Sequence, residues 1–245
     1  MTRDALSQSA TGGDVLSHLL RSDPARAHGM LLAQALAGDC ASQLAVGQMY
    51  LGGIGCERDG TEARYWFQHA AHQGAPMAMH MLGRCHENGW GGTVDVGLAA
   101  VWYRESAEHG LDLGMYHYAN ALAQGRGVSR DRAEAFRWFS RAAEAGHGRA
   151  MHFLGQYYEY GWETEPDMAR ACELYRRSAE AGDYRGQCSW ASVLTGLGRV
   201  EEACALLRAA IAHAPDYFVD ALRGELEHSR HPALRALAGG VASAG

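Results

Sequence analysis

The sequence predicts an all-α chain: an α/α solenoid of about five helix-turn-helix repeats of 36 residues, closed by terminal capping helices. Three observations carry this. Gly38, Gly74, Gly110, Gly146 and Gly182 stand 36 residues apart, and Asp59, Asp95, Asp131 and Asp167, Ala63, Ala99, Ala135 and Ala171, and Trp66, Trp102 and Trp138 keep the same register. A period of this length held without slippage is the mark of a repeat solenoid. Within one period the apolar residues recur at helical spacing, and no alternating strand pattern competes with them.

One repeat justifies the unit. From Ala75 to Asn88, Ala78, Met81, Leu82 and Cys85 form one apolar face of a first helix, helix A. Gly89-Trp90-Gly91-Gly92 ends it with a reversal that needs glycine backbone. Asp95 then suits the N-cap of a second helix, helix B, because its carboxylate can accept from the free amides of the first turn. Asp59/Glu62 and Asp131/Glu134 add a glutamate three residues on, which predicts a capping box. Helix B carries Ala99, Trp102, Tyr103, Ser106 and Ala107 on one face and ends at Gly110. Small residues such as Gly83, Ala99 and Ala107 let the two helices approach, and Trp102 is expected to fill the core beside them. Such a hairpin buries its apolar surface only against neighbouring copies.

Along the chain, residues 1–37 read as an N-terminal cap. Val15 to Leu20 would be a shortened helix A, and Asp23 to Ala37 helix B of a degenerate repeat. Four full repeats occupy 38–181. Residues 182–215 form a shortened copy, four residues shorter between Ala171 and Ala203 than the others. From 216 to 245 a capping helix, Asp216 to His228, places Tyr217, Phe218, Leu222 and Leu226 inward. Pro232 and the small-residue tail Ala238–Gly245 are expected to be poorly ordered.

The succession of Leu-Gly, an aromatic near Tyr158, Gly-x-Gly, Asp, Ala, Trp and Ala-Ala-x-x-Gly resembles the Sel-one-like repeat, a branch of the tetratricopeptide-like helical repeats. The resemblance covers about residues 23–215. It implies a right-handed superhelix that serves as a non-catalytic protein-binding scaffold. Its relatives organise complexes in bacterial signalling, envelope and stress pathways. The shortened copy, with Gly196-Leu197-Gly198-Arg199 and Pro215, resembles an ordinary tetratricopeptide repeat.

Composition narrows the function. The chain has 245 residues and a net charge of −6, with 22 arginines and no lysine, so it offers no basic footprint for nucleic acid. No run reaches the roughly 18 apolar residues of a membrane helix. Residues 1–22 lack the pattern of a signal peptide, which points to the cytoplasm. The Gly-x-Gly loops follow helices rather than strands and recur in each repeat, so they read as structural rather than phosphate-binding. Six cysteines fall outside any Cys-x-x-Cys pair and read as reduced thiols. His80, Cys85 and His86 with Met79 and Met81 invite a metal, yet Cys85 and His86 fill packing slots of the repeat. No supported nucleophile or acid–base group marks an enzyme. No cofactor or metal is expected. The alternative is a redox- or metal-linked accessory protein using its Cys, His and Met residues.

The resemblance also implies where a partner protein or peptide would lie. Five slots of each helix A should face a concave groove. The partner-binding residues among them are Leu44 in the first full repeat, then Met77, His80, Arg84, Glu87 and Asn88 in the second. The third contributes Tyr116, Asn120 and Gln124. The fourth contributes Arg149, His152, Gln156, Glu159 and Tyr160, and the shortened copy Arg185. Arg149 and Arg185 share one slot in adjacent repeats and are expected to form a short basic row for an acidic group of an extended segment. Trp90 and Trp162 share a loop register, as edge anchors or as packing beneath their loops.

Overall fold

The structure, a computed structural model, describes residues 12–240. The first residues of the N-terminal cap, 1–11, and the end of the tail, 241–245, lie outside the described residues. Among the described residues, fourteen helices and no strand are found. They are α1 (Gly12–Ser22), α2 (Pro24–Leu36), α3 (Cys40–Gly52), α4 (Gly60–His72), α5 (Pro76–Asn88), α6 (Val96–Glu108) and α7 (Asp112–Gln124). There follow α8 (Arg132–Glu144), α9 (Gly148–Tyr160), α10 (Met168–Glu180), α11 (Tyr184–Gly196), α12 (Val200–His213), α13 (Asp216–Glu227) and α14 (Pro232–Gly240). The odd-numbered helices α3 to α11 are the A helices, and the even-numbered helices that follow them are the B helices.

The chain divides into two compact units. Unit 1 runs to His117 and includes Arg126–Ser129; unit 2 comprises Tyr118–Gly125 and the chain from Arg130. In unit 1, α3 pairs with α4 and α5 with α6, while α2 packs on α3 and α4 on α5. In unit 2 the pairs are α9 with α10 and α11 with α12, and α10 packs on α11.

Aspartate sets the start of each B helix. Asp23, Asp59, Asp95, Asp131 and Asp167 cap α2, α4, α6, α8 and α10, each accepting from the amide three residues on. Such a cap contributes about 1 kcal/mol. The capping box does not close as the sequence suggests. The Asp59 amide donates to the Tyr50 carbonyl at 3.0 Å, and the Asp131 amide to that of Leu122 at 3.0 Å. The amide a box glutamate would receive is thus spent on the preceding helix, which ties the A–B loop shut.

The Gly-x-Gly loops have a packing role. Gly91 and Gly127 lie at φ 75° and 73°. A Cβ there would stand 2.2 Å from the Gly60 carbonyl oxygen and 2.0 Å from that of Val96. These oxygens belong to the first turn of the preceding B helix, so only glycine lets the loop seat on it. In the fourth full repeat Glu163 takes this place at φ 59°.

In three of the hairpins the core is a ring laid on a bare backbone. A Cβ on Gly47, Gly83 or Gly155 would lie 2.5 Å from the ring of Phe67, Tyr103 or Tyr175 respectively. Phe67 is fully buried with Ala63, Ala70, Ala78 and Leu82. Trp66 and Trp138 are also buried. Trp102, expected in the core, is only half-buried and packs at the margin of its cluster, where Tyr103 takes the inner position.

The C-terminal end differs from expectation in two respects. Leu222 and Leu226 of α13 are buried, but Tyr217 is 67% exposed. Pro232 starts a helix instead of a disordered tail. Leu234 and Ala238 of α14 are buried against Leu194, Leu207, Leu222 and Leu226, which accounts for the ordering of residues 232–240. No helix among the described residues is long and apolar enough to cross a membrane.

Phe67→Ala should destabilise the protein by about 3–5 kcal/mol, the cost of a large cavity in a closed core. Urea melts followed by circular dichroism give the value; a loss under about 1 kcal/mol would place Phe67 outside the core.

Candidate functional site

The exposed stripe of each A helix is the part of the repeat that its neighbours leave uncovered. In α5, Met77, Arg84 and Glu87 are half-buried and Asn88 is exposed. In α9, Arg149, Gln156 and Glu159 are half-buried and Tyr160 is 56% exposed. Asn120 of α7 and Arg185 of α11 are half-buried, Gln124 is exposed, and Leu44 packs at the edge of the Phe67 cluster. The second slot behaves differently. His80, Tyr116 and His152 are buried, and so do not present open side chains to a groove.

In unit 1 the buried slot belongs to a polar cluster. The Tyr103 hydroxyl donates to Glu87 Oε2 at 2.7 Å. Arg126 Nη1 lies 3.1 Å from the other oxygen, Glu87 Oε1. His80 lies against Tyr103, ring centroids 5.7 Å apart, and 5.0 Å from His117, whose ring stacks on Tyr103 at 4.7 Å. Arg84 sits over the Trp90 ring at 4.9 Å, and Asn88 Nδ2 donates to the Arg84 carbonyl.

Unit 2 repeats this arrangement. The Tyr175 hydroxyl donates to Glu159 Oε2. His152 again lies 5.7 Å from its tyrosine ring, with Nδ1 3.3 Å from Ser189 Oγ. Beside it, Arg149 Nε pairs with Asp183 Oδ2 at 3.3 Å. Arg149 and Arg185 flank the Tyr184 ring at 5.8 and 4.7 Å, and Arg185 also reaches Phe218 at 5.9 Å. The two arginines are therefore brought together, but Asp183 already faces the first. Trp162 is 40% exposed and lies against Tyr157 and Tyr160.

Burial governs the ionisation of these groups. It lowers His80 to about 3, with the neighbouring His117 adding to the effect. It lowers His152 to about 4, partly opposed by Asp183. It raises Tyr103 and Tyr175, and the carboxylates that accept from them raise both further. Burial also pushes the Cys85 thiol up to about 11 and that of Cys188 up to about 12, the reverse of what activates a thiolate. All six cysteines are unpaired, and among the described residues no group of three His, Cys, Asp or Glu side chains could hold a metal ion. Cys85 and His86 are buried packing residues, as their register suggests.

Tyr103, Tyr175, His117 and Arg126 are absent from the sequence-derived site. A signal for the tyrosines exists within the chain. Glu87 and Glu159 occur where helix B carries tyrosine, whereas Leu51 and Ala123 occupy their slot where it carries Phe67 and Phe139.

A family model, Sel1 repeat, matches residues 40–74, 76–111, 112–147 and 148–183. Among solved structures the fold resembles a Sel1 repeat protein from Oxalobacter formigenes, with a TM-score of 0.78 and 25% identity over 92% of this chain and 98% of that one. It also resembles a protective antigen of uropathogenic Escherichia coli strains that displays an SLR fold, with a TM-score of 0.69 and 29% identity over 86% of this chain and 48% of the antigen. A Sel1 repeat protein from Klebsiella pneumoniae aligns at 20% identity and a TM-score of 0.51, over 79% of this chain and 98% of that one, a likeness of fold alone. Among curated proteins none matches.

The depressed histidines predict acid lability. An unfolded histidine titrates near 6.5, so between that value and about 4 the unfolded chain binds protons that folded His80 and His152 do not. Stability therefore falls as pH drops through this window, by up to about 1.4 kcal/mol per pH unit for each histidine. Urea melts at pH 7 and 4.5 should show a smaller loss for His80→Gln/His152→Gln than for the natural chain. Parallel losses would mean that neither histidine is held neutral.

Proposed function

Starting from the premise that this chain belongs to the Sel1-repeat family, whose repeats generally serve as protein-interaction scaffolds, we propose that it is a non-catalytic adaptor of the cytoplasm. It holds a segment of a partner protein against the exposed stripes of its A helices. The observation that carries this is the convergence of Arg149 and Arg185 on the Tyr184 ring, from two A helices of one unit. Arg149 is met by Asp183, whereas Arg185 rests on two aromatic faces with no carboxylate in salt-bridge range among the described residues. A guanidinium so held keeps its in-plane donors available for a carboxylate, which it can bind through two parallel charge-assisted bonds.

Gln156, half-buried on the same stripe, and Asn120, Gln124 and Tyr160 supply polar and aromatic contacts suited to an extended backbone. Leu44 and Met77 do the same for apolar side chains in unit 1. The redox- or metal-linked alternative gains no support from the raised thiols or the scattered donors.

A photo-crosslinking residue at Gln156 should capture the partner in source cells, while the same residue at Arg137, exposed on helix B, should not. Arg185→Glu should then weaken the captured partner by at least about tenfold in calorimetry, roughly 1.4 kcal/mol. Equal capture from both positions, or equal affinity, would overturn the reading.

A further inference from the structure

Units 1 and 2 contain the same polar device, two repeats apart. His80, Glu87, Tyr103, Ser106 and Gly114 recur 72 residues later as His152, Glu159, Tyr175, Ser178 and Gly186. The intervening and preceding repeats hold Leu44, Leu51, Phe67, Ala70 and Ala78, or Tyr116, Ala123, Phe139, Ala142 and Ala150, at these positions. The five residues change together and share geometry. Ser106 Oγ donates to the Pro76 carbonyl at 2.8 Å and Ser178 Oγ to that of Gly148 at 2.7 Å. A Cβ on Gly114 or Gly186 would strike those hydroxyls. Each tyrosine donates to one oxygen of its glutamate.

The two copies part at the second glutamate oxygen. In unit 1, Arg126 of the loop after α7 fills it at 3.1 Å. In unit 2 the corresponding loop, after α11, is the one that lacks four residues. Its residues Leu197 and Gly198 supply no cation, and the next, Arg199, is engaged by both oxygens of Glu202 at 2.6 and 2.7 Å. Glu159 has no ion pair among the described residues. It stays half-buried at the surface, next to Tyr160, whose ring lies tilted against that of Trp162 at 5.1 Å between centroids.

We propose that Glu159, set by Tyr175, is a receptor for an arginine side chain of the bound partner, making in unit 2 the contact that Arg126 makes within the chain on Glu87. Unit 1 supplies the ligand chemistry: a guanidinium against the oxygen that the tyrosine leaves open. A half-buried carboxylate is less screened than an exposed one, and a planar guanidinium can also lie on the Tyr160 ring, so arginine is preferred to lysine. The inference rests on the scaffold reading and sharpens it. A partner segment would carry an acidic group for Arg185 and an arginine for Glu159.

The test uses the full chain and three probes, the N-acetyl amides of arginine, lysine and glutamine, followed by NMR titration of the tyrosine ring signals. Arginine amide should shift Tyr175 saturably and at least tenfold more tightly than glutamine amide, with lysine amide between them. Glu159→Gln should abolish this, and Tyr175→Phe, which keeps the ring and is followed at the neighbouring Tyr160 signal, should weaken it severalfold. Arg126→Gln should open a second site, seen as a new saturable shift at Tyr103. Circular dichroism identifies any variant that fails to fold, and Glu159→Ala then replaces it. Arginine amide behaving like glutamine amide, an unchanged response in Glu159→Gln, or no second site in Arg126→Gln would each overturn the proposal. None of these results bears on partner capture through Gln156, so the two readings fail separately.

Discussion

The contact on which the rest of this structure depends is the seating of one ring from helix B on a glycine of helix A. At Gly47, Gly83 and Gly155 the ring of Phe67, Tyr103 or Tyr175 occupies the space of a side chain, 2.5 Å from where a Cβ would stand. That contact fixes the approach of the two helices, because a packed interior cannot absorb even one added methyl without displacement. It also fixes the tyrosine hydroxyls. A ring held against the backbone at its edge has its para oxygen aimed at the last turn of helix A, where Glu87 and Glu159 stand one turn beyond Gly83 and Gly155. The polar chemistry of the A-helix surface is therefore an extension of the hydrophobic core.

Much of the fold was legible because its punctuation is local. An aspartate that caps its own helix and a glycine that ends one act through bonds a few residues long, so the register of Asp59, Asp95, Asp131 and Asp167 marks the helices directly. What depends on distant partners was not legible. The glutamates of the expected capping boxes lose their amide to carbonyls of the previous helix. Trp102 shares a register with Trp66 and Trp138, yet those two are buried while Trp102 is only half-buried at the margin of its cluster. The tail from Pro232 looked too poor in large side chains to order, but Leu234 and Ala238 meet an apolar surface left by α11, α12 and α13.

The candidate site shows the same division. Slot counting placed Met77, Arg84, Glu87, Arg149, Gln156, Glu159 and Arg185 on helix surfaces that are at least partly open. It could not reveal that His80 and His152 lie under tyrosine rings, since their polarity alone suggested solvent. Nor could it foresee Arg126 reaching Glu87 across 39 residues, a contact made by the stacking of loops on preceding repeats. The clue that was available is internal: Glu, Tyr, His, Ser and Gly alternate as a set between repeats, which one 36-residue register conceals and a 72-residue one reveals.

The ring-on-glycine contact is tested most directly by adding the missing methyl. Gly83→Ala and Gly155→Ala should each destabilise the protein by about 1–3 kcal/mol in urea melts, the cost of overpacking a closed contact. Gly29→Ala, in helix α2 with nothing within 4 Å of the new Cβ, should instead gain up to about 1 kcal/mol from helix propensity. If Gly83→Ala and Gly155→Ala stabilise the chain as Gly29→Ala does, the rings are not seated on the backbone, and the account fails at its centre.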